Sequence, residues 1–428
     1  MKHLTECLNF FAQSLSNMED NRTGKNLTYS MKDIGMAAFS PFYMQCPSFL
    51  SFQRKLQENR GTDNTCILFQ MDKIPTDNHI RKTLDGVAPE YFDDNFFHVI
   101  EMAGKAGEKV IRNVLDGRTL IALDGSEYFS SNKVCCPSCS KRTLRDGSIE
   151  YFHSFLGAVI VRPFSHLVFS LPPEFIHPQD GATKQDCEWR AAQRWLAKTA
   201  PRCRDYNPVY LRDDLFARQD ICAKILNDGG DFIFTCKDTS HKTLREFRNG
   251  LEPETFQETK TTAGKKRNYR YSWLCNLPIR DGEDALTVNW IDLQISLPNG
   301  KVTYHASFIT SLLPTRDNIV ELAACARARW KIENETFNVL KNNGYHLEHN
   351  FGHGKKTLSQ ILVVFNLLAF SMHTLCDVME EMWQKARASC GTRVEFFSHL
   401  WSITAYVVFK NWHSLMETIL KREPPPAQ

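Results

Sequence analysis

The chain predicts a mixed α/β fold, on three observations. Short apolar runs between residues 118 and 236 stop at acids or turns, they alternate with helical stretches, and helical periodicity dominates both ends. Its 428 residues suit two or three domains, and 42% hydrophobic residues are enough for sizeable cores. Lys plus Arg number 52 against 49 Asp plus Glu, a net charge of +3. Overall charge therefore does not announce a nucleic-acid partner, and any such signal must be local.

The fourteen cysteines are scattered through a long chain, which is not the pattern of a disulfide scaffold. Met1-Lys2-His3-Leu4 lacks the apolar core and cleavage site of a signal peptide, so a reduced cytoplasmic protein is expected. The longest apolar stretch, residues 361–376, is interrupted by Asn366, Ser371 and His373. It is shorter than the ~20 residues of a bilayer span, and reads as a buried helix with no membrane partner.

Residues 1–110 form the first unit, a helical N-terminal domain. Leu4, Leu8, Phe11 and Leu15 recur near helical spacing, and Ile74-Pro75-Thr76-Asp77-Asn78 is a turn and cap before another helix. Residues 111–236 change period. Thr119-Leu120-Ile121-Ala122-Leu123 is a buried strand ending at Asp124-Gly125; runs 156–161 and 166–171 make an antiparallel pair around Pro163. A helix over 183–198 carries Trp189, Ala192 and Trp195 on one face. Strand 208–211 ends at Arg212-Asp213-Asp214, and a helix over 217–227 and a strand over 231–236 complete a strand-strand-strand-helix-strand-helix-strand order.

Residues 237–311 read as a β-rich insertion. Residues 312–355 return to the core with a helix over 319–342, and residues 356–428 form a helical C-terminal region with helices over 358–385 and up to 421. The tail Pro424-Pro425-Pro426 is expected to fray.

The chemistry concentrates in three acids far apart in sequence: Asp124 and Asp213 at strand ends, and Glu333 on a helix. Arg329, Glu333 and Phe337 are spaced i, i+4, i+8, which stacks them on one helical face. Two readings stand for Arg329 and Glu333, a solvated intrahelical ion pair or a carboxylate and guanidinium aimed into a site. Three carboxylates gathered together repel one another unless cations occupy the site. Oxygen ligands suit Mg²⁺ or Mn²⁺, and a pair of such ions can serve in-line phosphoryl displacement.

Four blocks together resemble a known family: 121–128 (Ile-Ala-Leu-Asp-Gly-Ser-Glu-Tyr), 180–188 (Asp-Gly-Ala-Thr-Lys-Gln-Asp-Cys-Glu), Asp213-Asp214-Leu215-Phe216, and the run from Arg327 through Lys341 to Gly354. Covering residues 118–355, they are similar to bacterial insertion-sequence transposases of the DDE class, in the cut-and-paste group with a Tyr-Arg-Glu-Lys signature. The resemblance implies an RNase H-like catalytic core with a β-rich insertion, flanked by helical regions. Asp124 would lie on the first strand, Asp213 after the fourth and Glu333 on the helix after the insertion, together binding two Mg²⁺ or Mn²⁺ ions. It further implies double-stranded DNA as partner, both inverted-repeat ends and target. A homodimer on DNA, the flanking helices as end-binding and dimerisation modules, and a nucleoid-associated bacterial location follow from it too.

The match departs from the signature in places. The signature Tyr falls at Ala326, so an aromatic contact to DNA is either absent or supplied by Trp330; its Arg falls on Arg329 and its Glu on Glu333. Lys341 sits one residue late, which leaves Glu335 open as the ligand, although on an α-helix it points about 160° away from Glu333. Asp214 beside Asp213 poses a similar choice, in which the resemblance favours Asp213. Arg329 and Lys341 would hold the phosphate beside the scissile bond.

Other motifs remain. Lys265, Lys266 and Arg267, followed by Tyr269, Tyr271 and Trp273, combine phosphate-neutralising charge with stacking surfaces, or else form an ordinary hairpin with edge lysines. Cys136 and Cys139, with Cys135 adjacent and His153 downstream, have the spacing of half a zinc site and are otherwise reduced thiols in a loop. His346, His349 and His353 are spaced i, i+3, i+7, but Gly344, Gly352 and Gly354 argue against a continuous helix there.

The expected function is a DNA transposase that binds the ends of its own element, cleaves them hydrolytically and transfers the 3′-OH strands to target DNA. Rival expectations are a metal-dependent nuclease with the same core and a catalytically silent, domesticated DNA-binding protein.

Overall fold

Leu120, Ile121, Ala122 and Leu123 are each at most 2% exposed, as befits a central strand buried on both faces. The computed structural model describes every residue except 24–26, 49–51, 53–60, 108, 109, 113, 179–183, 263 and 423–428, with backbone alone at 61–63, 184–186 and 262. The 180–183 part of the second sequence block and the triple-proline tail lie outside the described residues.

The strands are β1 (Thr119–Ser131), β2 (Ser140–Thr143), β3 (Ile149–Val161), β4 (Phe169–Ser170), β5 (Glu174–Phe175), β6 (Pro208–Arg212), β7 (Asp231–Thr235), β8 (Glu254–Thr262), β9 (Lys265–Pro278), β10 (Thr287–Ser296) and β11 (Val302–Thr310). They form one mixed sheet in the order β2-β3-β1-β6-β7-β11-β10-β9-β8, with β4 and β5 also on β3. β1 is antiparallel to β3 and parallel to β6, and β6 is parallel to β7. The class is thus mixed α/β with helical flanks.

Strands β8 to β11 form an antiparallel meander joined to the rest because β11 pairs with β7. The insertion therefore extends the core sheet. Its aromatic row differs from the sequence expectation. Tyr271 and Trp273 are only 2% exposed, because alternate residues of β9 turn onto the face covered by helix Ile319–Arg327. A buried Trp273 ring offers no stacking surface to a base. Lys265, Lys266 and Arg267, at the β8–β9 turn, are exposed.

The two helical ends share a core. Phe365, on helix Leu358–Met379, meets Phe11 at 5.3 Å, Phe39 at 6.3 Å and Phe92 at 5.0 Å between ring centroids, while Tyr43 packs on Trp412 at 5.1 Å. Buried Glu380 holds the chain start, accepting the backbone N–H groups of His3 and Leu4 and pairing with the α-amino group. Leu358–Met379 is long and apolar enough to cross a membrane by composition, yet 89% of its most apolar window is buried inside the protein. That burial agrees with a core helix.

The element carrying Glu333 is continuous but irregular. Helix Ile319–Arg327 passes through a 3₁₀ turn, Ala328–Trp330, and a π-helical segment, Ile332–Phe337, into Asn338–Asn342. Such π turns concentrate at functional sites.

Candidate active site

The parallel register of β1 against β6 leads toward Asp124 on one strand and Asp213 on the other. Ala122 faces Leu211 in that parallel pair. Asp124 and Asp213 each follow that last pair by two residues, Asp124 within β1 and Asp213 just past the end of β6. Both acids lie where their strands run out of parallel pairing, the usual ligand position in open α/β sheets.

Glu333 is joined to Asp124 through Arg329. A single guanidinium nitrogen, Nη1, donates to Asp124 Oδ2 at 3.3 Å and to Glu333 Oε1 at 2.9 Å. The i, i+4 spacing read from the sequence is thus real, and it reaches across to the sheet. Phe337 anchors the same face: its ring lies against Gly157, where an added Cβ would come within 2.8 Å of two ring atoms, and Gly157 is the β3 partner of Asp124. Absence of a side chain at Gly157 lets the Glu333 helix lie close to the acids. Glu335 faces elsewhere, pairing with His166 Nδ1 at 2.8 Å.

Two buried groups complete the cluster. Arg212 is 3% exposed, its Nε and Nη1 have no hydrogen-bond partner, and its guanidinium sits 3.1 Å from the Phe216 ring centroid. Glu188, 8% exposed, lies on helix Lys184–Lys198 against Gly125, where a Cβ would fall 2.5 Å from Glu188 Oε1. Glu188 closes the 180–188 block, in which nothing in the sequence marks a role for it. Its helical position shows no signal until the fold sets that helix over Gly125.

Electrostatics in the cluster run against charge. Burial pushes the Asp124 carboxyl up to about 6, opposed by Arg212 and Arg329 and reinforced by Glu333. Burial likewise draws the Arg212 guanidinium down to about 10, with Asp124, Asp213 and Glu188 pulling the other way. Asp213 Oδ1 is buried without a hydrogen-bond partner. Among the described residues, the group of His, Cys, Asp and Glu side chains close enough to hold a metal ion is Cys136, Cys139, His153 and His353; Asp124, Asp213 and Glu333 are not drawn that close, and the Arg329 guanidinium lies between Asp124 and Glu333. Asp214, by contrast, is committed to structure: it accepts from Lys237 N at 2.5 Å and from Ser240 Oγ, and lies 3.2 Å from His241 Nε2.

The remaining expected residues divide. Trp330 is 39% exposed beside Arg329, while Ala326, at the signature tyrosine position, is buried. Lys341 is 2.7 Å from Glu348, so its ammonium is already engaged by a carboxylate. Tyr269 is half-buried, with Lys260 Nζ 5.2 Å from its ring centroid. Cys136, Cys139 and His153 come together, each sulfur 3.4 Å from His153 Nε2. Phe129, the β3 partner of His153, is five residues beyond Asp124 on β1, about 16 Å along the strand. Compared with protein-family models and with curated proteins, the chain matches none.

Proposed function

We propose that this chain is a DNA transposase of the DDE class, built on an RNase H-like core, that cleaves and joins DNA strands at the Asp124, Asp213 and Glu333 cluster. The observation that carries it is the Arg329 nitrogen shared between Asp124 and Glu333, residues 209 positions apart, with Asp213 two residues past the last β1–β6 pair just as Asp124 is. Strand order supports the same core. A central β1 has an antiparallel neighbour, β3, on one side and two parallel strands, β6 and β7, on the other, as an RNase H-like sheet requires.

Asp124, Asp213 and Glu333 would hold divalent cations, Mg²⁺ or Mn²⁺, which when bound supply an acidified water and charge for the departing oxygen. The protein's own groups do the positioning. Arg329, which donates to both Asp124 and Glu333, would hold the scissile phosphate. Trp330 offers an exposed ring beside it, and Lys265, Lys266 and Arg267 at the hairpin tip supply charge for duplex phosphates. Residues of the shared helical body would contact the element ends and the second protomer.

The test uses supercoiled plasmid carrying the DNA that flanks the gene, incubated with Mn²⁺. Asp124→Ala, Asp213→Ala and Glu333→Ala are each expected to lose strand cleavage while gel-shift binding persists. Undiminished nicking by any of the three removes that residue from the site, and equal cutting of plasmids without the flanking ends would point to a nuclease instead.

A further inference from the structure

We propose that Cys136, Cys139, His153 and His353 bind one zinc ion that clamps the segment following the Glu333 helix onto the β1–β3 hairpin. The four donor atoms lie within 4.8 Å of one another. Bond lengths of about 2.3 Å to sulfur and about 2.05 Å to nitrogen in a tetrahedron require about 3.8 Å between sulfurs and about 3.6 Å between sulfur and nitrogen. The structure has 3.8 Å between Cys136 and Cys139 Sγ, 3.4 Å from each sulfur to His153 Nε2, and 3.7 Å from Cys139 Sγ to His353 Nε2. Two thiolates and two imidazoles in that geometry select zinc.

Each ligand is delivered by a different local device. Cys136 and Cys139 sit on a tight turn closed by the Cys139 N–H to Cys136 O bond of 3.1 Å. A β-bulge between Glu127 and Phe129 shifts the β1–β3 register so that Phe129 faces His153. His353 arrives 214 residues after Cys139, and its ring packs 4.4 Å from that of Phe129. The rival chemistry is a Cys–His nucleophile, which needs access to substrate. Cys139 and His153 are each 3% exposed, so they are closed to one.

The clamp has a mechanical consequence. Residues 343–357 form no helix or strand, and at their far end Asp85 accepts the backbone N–H groups of Lys355, Lys356, Thr357 and Leu358. Zinc at His353 would tie this connector, and with it the end of the Glu333 helix, to the strand that carries Asp124. The inference stands on the four ligands alone and is independent of the carboxylate chemistry.

Full-length protein grown with zinc and dialysed against a weak chelator is expected to retain one zinc per chain by elemental analysis. Cobalt replacement should give the visible absorption of a tetrahedral site with two thiolates. His353→Ala should weaken zinc at least tenfold in competition with a chromophoric chelator, while Cys135→Ser leaves it unchanged. Stripping the metal from the wild type should raise amide exchange in residues 346–354. Wild-type protein that holds no zinc, or in which Cys136 and Cys139 titrate as free thiols or form a disulfide, overturns the proposal. Unchanged zinc affinity in His353→Ala overturns the fourth ligand. If the variants do not fold, the wild-type stoichiometry and cobalt spectrum still decide.

Discussion

Arg329 stands between two carboxylates that would otherwise face each other across the cluster, and its small residual exposure, 23% of the side chain, leaves one side open. A cation already occupies the spot by virtue of sequence, so removing it should do more than break a helix pair. Arg329→Ala is expected to lower strand cleavage about 10²- to 10³-fold, the range for deleting one preorganised charge donor at a reacting centre, while Glu335→Ala, which only frees His166, leaves cleavage near wild type. Equal rates for Arg329→Ala and wild type would reduce the contact to an ordinary i, i+4 pair, which contributes only about 0.3–0.5 kcal/mol.

Between elements, the closest fit is the Phe337 ring on Gly157. The ring is held between the π-helical segment and β3, so an added methyl has rigid neighbours. Gly157→Ala should cost about 1–3 kcal/mol of stability through overpacking, read as a lowered midpoint in chemical denaturation, and should reduce cleavage by displacing Glu333. Adding Phe337→Leu to make room should recover part of the stability. Stability recovered without activity would show that the ring, and not only the space, sets the helix.

Packing among the terminal helices makes a pH prediction. His373 lies buried at the centre of the helical body, accepting or donating at 2.7 Å with Tyr345 and flanked by Tyr43, Trp383 and Phe397. Burial holds its imidazole well below the ordinary 6.5. An unfolded chain therefore takes up a proton near 6.5 that the folded chain refuses, so His373 stabilises the fold above that pH and the contribution is lost as pH falls. The stability gap between wild type and His373→Phe should narrow by about 1–2 kcal/mol between pH 7.5 and 5. A gap that does not change with pH would mean the folded ring protonates as readily as the unfolded one.

At the scale of the whole molecule, the terminal helices stabilise one another, since Phe11, Phe39 and Phe92 all close on Phe365. Residues 1–110 expressed alone should lack cooperative unfolding, and Phe365→Ala in the full chain should cost about 3–5 kcal/mol. A sharp thermal transition in the isolated fragment would restore the idea of an independent N-terminal domain. The exposed hairpin tip makes a separate forecast: replacing Lys265, Lys266 and Arg267 with Ala should weaken DNA binding alike for all sequences and lower the salt slope by about one per lost phosphate contact.

Periodicity and stop signals along the chain were sufficient for the α/β class, for the strands near 119, 208 and 231, and for the helices near 184, 219 and 358, because burial of one face imposes a repeat that local residues must obey. Arg329 and Glu333 could be picked out because a helical face repeats and Asp213 because a strand stops there, whereas the strand expected to end at Asp124 runs on to Ser131, since β3 continues to pair with it beyond the acid. Distance in space leaves no such trace. That Asp214 is engaged by Lys237 N and Ser240 Oγ depends on the loop that packs over it, and that Trp273 is buried depends on which helix covers the insertion. Glu188 over Gly125, His353 beside Cys139 and Phe365 joining both ends of the chain are likewise products of packing between segments distant in sequence, where no repeat in either segment encodes the partner.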